Sequence, residues 1–329
     1  MAKKIATWIA VPAMILIFVL DIMTVALGNR YVAAVSVSPE LFNEKNGGDR
    51  IHFLNTSNSD AILIESNGRF AMIDSGEGSE NPRRDPGYYG FEETVLSYLK
   101  KAAGDENGRV HLDFILLTHY HYDHSGCLHA ILTDDSITVG TVYMKPYDPS
   151  FGKSYEPHRW GLISIYEQLV RDVRARGLDP VGVLPNEPFP FGSFTLQFYN
   201  TVTPETRKNS GENLTCVGVK VTKGGQSAFL ASDITATSGS EQAVRGQIGE
   251  VTLLKIAHHG YYGSSTAGFL RELKPKLAIV TNALGKIYPN VKWNLTMIAR
   301  TPVFSTHNSD GIIASFTDDG MIVLTDHIH

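Results

Sequence analysis

"LLTHYHYDHSGC" (Leu116–Cys127) places three histidines and one aspartate within the six residues His119–His124, directly behind an apolar run. Phe114–Leu117 reads as a buried strand, which would deliver His119 to a sheet edge. Alternate residues of an extended segment point the same way, so His119 and His121 can grip one ion. Asp123 and His124 can then turn toward a second. Imidazole nitrogen and carboxylate oxygen suit zinc and similar metals, and a catalytic centre leaves positions open for water. Two such ions about 3.5–4 Å apart can share and activate a hydroxide. The remaining ligands must come from elsewhere in the chain. Asp233, at the end of "QSAFLASD", is the candidate bridge, and the His258–His259 pair in "VTLLKIAHHG" supplies a further nitrogen. A lone histidine is usually structural or at the surface. An H-x-H-x-D-H cluster, joined by an aspartate and a histidine pair at other strand ends, points to metal.

Around this centre the chain alternates strand and helix patterns. "RIHFLN", "DAILIES" and "RFAMIDSG" read as short strands separated by Ser/Asn/Gly turns. "GSENPRRDPGYYG" (78–90) reads as a loop. "FEETVLSYLKKA" has helical spacing, with Glu early and Lys late. "HRWGLISIYEQLVRDVRARG" is an amphipathic helix stopped by Gly177. "FTLQFYNT", "LTCVGVKVT", "QSAFLASD" and "KLAIVTN" are strands, and a helix is expected near 264–273. "GIIASFTDDGMIVLT" closes the chain as a hairpin around Asp318–Gly320.

Composition sets the frame. The chain has 329 residues, 43% hydrophobic and 19% charged, which suits a globular protein with a sizeable core. A formal net charge of −5 gives no overall footprint for nucleic acid. Two cysteines, Cys127 and Cys216, are too few for a disulfide framework or thiolate cluster and read as buried thiols, with a single disulfide as the alternative. The N-terminus departs from the globular pattern. Lys3 and Lys4 precede an apolar run from Ile5 to Leu20, then Asp21 and a second apolar stretch to Gly28. Residues 1–28 are therefore expected to be a signal peptide or an uncleaved membrane anchor, with the lysines cytoplasmic and the rest exported. Cleavage sites are offered at Ala26/Gly28 or Ala34/Ser36. Residues 29–49 read as a linker, and 50–329 as the functional domain.

"THYHYDHSG" resembles the signature of the metallo-β-lactamase superfamily. "IHFLNTSNSDAILIESNGRFAMIDSG", "NLTCVGVKVTKGGQSAFLASD" and "LLKIAHHGYYGSST" are similar to the metallo-β-lactamase-like domain of DNA-uptake competence proteins. "VYMKPYD", the Trp160 segment and "PKLAIVTN" resemble secreted phosphorylcholine esterases of the same branch. The likeness spans roughly residues 50 to 325. It implies an α/β (α+β) fold, the αββα sandwich, with metal held at one edge of two sheets. It further implies His119 and His121 on a first metal, Asp123 and His124 on a second, and Asp233 bridging. His259 is preferred over His258 as the last ligand, which would leave His258 as a supporting or catalytic group. Asp123 is also a candidate proton shuttle, and Asp74 in "MIDSG" would support the cluster without binding metal. Asn213 matches a polar position that could donate to substrate, although a turn role is nearly as natural.

Between His124 and Asp233 only His129 and His158 occur, neither in a motif context. This puts classical β-lactam hydrolysis in doubt; the competence-type branch that the chain resembles shares the gap, and that resemblance implies phosphoester chemistry instead. The expectation is an exported dinuclear hydrolase, two Zn2+ with Mn2+ or Fe2+ as alternatives, acting on a small-molecule or cell-envelope phosphodiester. It would contact the membrane only through the N-terminal segment. Aromatic residues near the expected mouth, Tyr120, Tyr122, Trp160, Tyr261 and Tyr262, would suit a choline headgroup. Two alternatives stay open. One is an extracellular nuclease, which would want cations near the cleft, where only Lys145, Lys153 and Arg159 stand out. The other is a non-catalytic, metal-stabilised binding module on the cell surface.

Overall fold

The computed structural model describes residues 2–34, 48–203, 208–308, 310–318 and 322–325. Most of the expected linker (35–47), the cleavage position at Ser36 and the hairpin turn at Asp319–Gly320 lie outside them.

After the N-terminal helix α1 (Ala2–Ala34), three strands form an antiparallel meander: β1 (Asp49–Leu54), β2 (Ala61–Ser66) and β3 (Arg69–Ser75). Helix α2 (Glu92–Ala103) returns the chain to β4 (Val110–Leu117), parallel to β3. The short helices α3 (Tyr122–Ser125) and α4 (Leu128–Thr133) lead to β5 (Ile137–Met144), parallel to β4. Helix α5 (Leu162–Ala175) crosses to a second sheet made of β6 (Phe189–Phe191), β7 (Phe194–Tyr199), β8 (Gly218–Lys223) and β9 (Gln226–Leu230). Helix α6 (Ser240–Val244), β10 (Leu253–Lys255), helix α7 (Ala267–Leu273) and β11 (Leu277–Val280) follow. Helix α8 (Pro289–Trp293) runs into a π-helical turn, Asn294–Ala299, before β12 (Val303–Ser305). Strands β13 (Gly311–Phe316) and β14 (Ile322–Thr325) rejoin the first sheet beside β1.

The two sheets have orders β14-β13-β1-β2-β3-β4-β5 and β12-β11-β10-β9-β8-β7-β6. Between them lies an apolar layer that includes Ile51, Ile64, Phe114, Phe191, Phe194, Val219 and Leu253. The first sheet's outer face packs on α2, α4 and α5 through Leu63, Leu99, Ile131 and Leu169. The second sheet's outer face packs on α6, α7 and α8 through Phe229, Val244, Phe269 and Val291. Strands buried on both faces are almost continuously apolar, as in "AILI" and "LAIV". The expected αββα sandwich is therefore present.

Three expectations needed correction. The helix expected from His158 begins at Leu162, because Gly161 takes φ +70° and cannot lie inside a right-handed helix; Trp160 thus precedes α5 rather than riding on it. The strand expected from Leu214 begins at Gly218. Glu212–Leu214 instead form a 3-10 turn, with the Thr215 hydroxyl donating to the Glu212 carbonyl and carboxylate. Strand β9 stops at Leu230, three residues short of Asp233, and Ser232 at φ +45° turns the chain there. Cys127 and Cys216 are free and buried, as read from the sequence.

Candidate metal centre

Parallel neighbours β3-β4-β5 and β9-β10-β11 present their carboxyl ends at one edge of the sandwich. Asp74 closes β3, His119 follows β4, Asp233 follows β9, and His258 and His259 follow β10. Loops at that edge are free to carry chemistry because the strands behind them are fixed by two-sided packing.

Two sets of buried ligand atoms meet at Asp233. His119 Nε2 lies 3.3 Å from His121 Nδ1 and 3.7 Å from Asp233 Oδ2. His124 Nε2 lies 3.2 Å from His259 Nε2, and these two nitrogens are 3.2 and 3.3 Å from Asp233 Oδ1. Asp123 Oδ2 is 3.6 Å from His259 Nε2. Two atoms each about 2.0 Å from one tetrahedral ion are about 3.3 Å apart, which is the spacing seen here. Asp233 Oδ1 is buried and accepts no hydrogen bond, although it faces two imidazoles. A buried carboxylate oxygen without a donor is costly unless a cation completes it. The residues therefore fit divalent ions: His119, His121 and Asp233 for one, and Asp123, His124, His259 and Asp233 for the other.

Asp60 also stands close, 3.5 Å from His259 Nδ1 and 3.8 Å from His124 Nδ1. Both its oxygens are engaged, one by Lys255 Nζ and one by the Thr281 hydroxyl at 2.6 Å, so it supports the ligands from behind. Burial raises the Asp60 pKa, but Lys255 and His259 outweigh it and hold the carboxyl below its ordinary range. Asp74 has the supporting place expected of it. Its Oδ2 is 2.7 Å from His124 Nδ1, and it also accepts from the Thr118 backbone and hydroxyl. Glu156 does the same for His121, with Oε1 3.2 Å from Nε2. Such carboxylates fix ring orientation and tautomer. The sequence singled out Asp74 only; Asp60 opens the segment "DAILIES" without marking itself as a partner, and Glu156 sits in a loop with no motif around it.

His258 and His259 both take left-handed backbone angles, φ +52° and +50°. Such angles cost of order 1–3 kcal/mol each and persist where surroundings over-determine them. Here His258 N donates to Ser232 O at 2.8 Å, Asn282 Nδ2 donates to His259 O at 3.1 Å, and Tyr288 N donates to Gly260 O at 2.9 Å. The turn aims the two rings differently. His259 is fully buried among the ligand atoms. His258 stands on the open side, 27% exposed, with Nε2 3.7 Å from Asp233 Oδ2. It is not behind a ligand, where a supporting role would place it.

The centre opens into a cleft of about 290 Å3 lined by His121, Asp123, Asp233, His258, Trp160, Tyr261 and the 77–84 loop. Asn213 is not among its lining residues; its carbonyl accepts from the Cys216 thiol at 3.1 Å. Of the five aromatics expected at the mouth, Tyr120 and Tyr122 are buried and Tyr262 is exposed outside the cleft lining. His129 of α4 pairs with Asp172 of α5 at 2.8 Å and does not line the cleft. A separate cavity of about 270 Å3 lies on the other side of His119. Lys145 and Glu212 line it; burial lowers Lys145 to about 8 and raises Glu212 to about 7.

The sequence model of the metallo-beta-lactamase superfamily matches residues 54–199, which contain the histidine cluster. That segment belongs to the metallo-beta-lactamase superfamily. Among solved structures, the chain is similar to the metallo-beta-lactamase fold protein YhfI from Bacillus subtilis (14% identity, 83% of this chain and 98% of that one, TM-score 0.44). It is also similar to Zn(2+)-bound PqqB from Methylobacterium extorquens (13%, 77% and 86%, 0.44). A third similar structure is CmlA, a diiron beta-hydroxylase from Streptomyces venezuelae (18%, 76% and 47%, 0.40). No curated protein matches the chain.

Proposed function

We propose that the protein is an exported, divalent-metal-dependent phosphodiesterase with zinc as its metal. The observation that carries this reading is Asp233, whose two oxygens each face a different set of imidazole nitrogens at the floor of an open cleft. Bound divalent ions would supply Lewis-acid polarisation of a phosphoryl oxygen and activation of water. The chain's own residues do the rest. Asp233 holds the two ligand sets together, and its negative charge offsets closely spaced cations. Asp60, Asp74 and Glu156 fix the imidazoles in place. Among the polar groups lining the cleft, His258 is placed to hold or move a proton at the substrate; burial raises the Asp123 carboxyl, but Arg83 and His124 outweigh it and keep Asp123 charged. With His129 and His158 away from the cleft lining, the first set gains no imidazole from the segment between His124 and Asp233. This supports phosphoester over β-lactam chemistry. The span Ala10–Gly28, with mean hydropathy 2.4, supports export.

The test is turnover by the full chain in detergent on p-nitrophenyl phosphorylcholine, bis-p-nitrophenyl phosphate, single-stranded DNA and a β-lactam. Hydrolysis of a diester, lost on chelation and restored by zinc, is expected. A β-lactam as the best substrate would overturn the reading. The nuclease alternative is favoured by Arg83 and Arg84, which line the cleft and were absent from the expected set of cations; DNA as the best substrate would select it.

A further inference from the structure

We infer that Arg83 reads the negative charge of the substrate, so that the cleft takes an anionic phosphoryl group in preference to a neutral ester. This rests on the phosphodiesterase reading and extends it to the residue that sets substrate charge.

The 77–90 loop is built around one buried carboxylate. Glu77, 1% exposed, accepts from Arg84 Nε and Nη2 at 2.8 and 2.7 Å, from the Tyr88 hydroxyl at 2.9 Å, and from Asn81. Arg84 and Glu77 neutralise one another in this two-pronged pair, and the Arg84 guanidinium lies 4.9 Å from the centre of the Tyr88 ring, within the loop's own network. Arg83 is disposed otherwise. Its guanidinium lies 5.0 Å from the centre of the Trp160 ring, and Trp160 is itself packed edge-on against His121 at 5.4 Å and at a tilt against Tyr155 at 4.7 Å. Nη2 donates to Asp123 Oδ1 at 2.9 Å, and Nε makes a long contact with Asn81 Oδ1 at 3.4 Å. A guanidinium has five donors, so most of its capacity is left in the cleft it lines. Asp123 divides its two oxygens: Oδ1 faces Arg83, while Oδ2 faces the ligand set of His124 and His259. Arg83 is thus tied to the candidate metal centre through one carboxylate and seated against an aromatic ring. Fixed planar donors recognise phosphate oxygens in pairs, which a lysine cannot copy.

The same placement bears on the choline expectation. A quaternary cation is drawn to an open ring face. The Trp160 face already carries a fixed cation, which would repel a second.

The experiment compares the zinc-loaded full chain with Arg83→Gln and Arg83→Lys. Metal content, inorganic phosphate affinity by calorimetry, and kcat/KM on bis-p-nitrophenyl phosphate and on neutral p-nitrophenyl acetate are measured. Metal content should match the parent in both variants. Arg83→Gln should bind phosphate at least 10-fold more weakly and lose at least 10-fold in diester kcat/KM, chiefly through KM, with a several-fold smaller loss on the acetate; Arg83→Lys should recover part of the loss. If the parent binds no phosphate, or Arg83→Gln binds it equally well, the inference is wrong. It is equally wrong if the binding loss only tracks a loss of metal, since Arg83 would then act by holding Asp123. Arg83-dependent phosphate binding in a parent that cleaves no diester would remove the phosphodiesterase reading and leave the anion site standing.

Discussion

Two neighbouring histidines with the same strained backbone have different places at this centre. His259 is sealed among ligand atoms, whereas His258 faces the cleft. His259→Ala should therefore lose about one equivalent of zinc by elemental analysis, while His258→Ala should keep most of its metal and lose turnover. A zinc deficit in His258→Ala and none in His259→Ala would reverse the assignment. Glu156 holds His121 from behind, so Glu156→Gln should weaken zinc by about 10–100-fold, read by competition with a chromophoric chelator; unchanged affinity would show that the ring needs no such partner. That His119, His121, His124, Asp233 and His259 gather at one edge could be read from the sequence because the spacing is itself chemical, with alternate residues of an extended segment sharing a side. Asp60, Glu156 and Arg83 were not legible. Glu156 meets His121 at 35 positions' separation, Arg83 meets Asp123 at 40 and Asp60 meets Lys255 at 195, and nothing local distinguishes these carboxylates or this arginine from others.

At the scale of elements, the histidine cluster depends on two glycines pressed together. Gly126 has ordinary right-handed angles, so any residue suits its backbone, yet a Cβ there would run into Gly78 N and lie 2.6 Å from Tyr122 O. A Cβ on Gly78 would in turn meet Gly126. The close approach seats the 77–90 loop, and with it Arg83, against the cluster. Gly126→Ala should cost about 1–3 kcal/mol by analogy with overpacked cores, seen as a lower midpoint in urea; an unchanged midpoint would mean the loop moves aside freely. Lys255 and Asp60 form a fully buried ion pair behind His259. Breaking such a pair by removing one partner costs about 3–5 kcal/mol, so Lys255→Met should destabilise by that amount in the same assay. Long apolar strands such as β2 and β4 were plain in the sequence. The brief strands β6 and β12, three residues each, were not: so short a run shows no alternation, and pairing with a neighbour is what makes it a strand.

At the scale of the whole molecule, α1 is an apolar helix set on the outer layer of the second sheet. Leu20 and Thr24 are buried, while Met14, Phe18 and Val25 are more than half exposed. Asp21, the acidic residue that interrupts the apolar run, pairs with the buried Lys292 of α8. A charge that would be a defect in a bare membrane span thus has a partner on the folded body. The protein should sediment with membranes and resist high salt, yielding to detergent, and a reporter fused after His329 should be active outside the cytoplasm. Release by salt alone, or a reporter active only inside, would contradict the anchor.

The ligands are shared between the sheets. The histidine cluster follows β4 of the first, while Asp233 and His259 follow β9 and β10 of the second. A half-synthesised chain, or one threaded unfolded through a pore, thus has the cluster but neither Asp233 nor His259 in place. A centre drawing on both ligand sets would therefore form only once the second half docks on the first, and an ion held there would come from the compartment in which the sandwich closes, so that metal supply there, rather than at the ribosome, would set its identity.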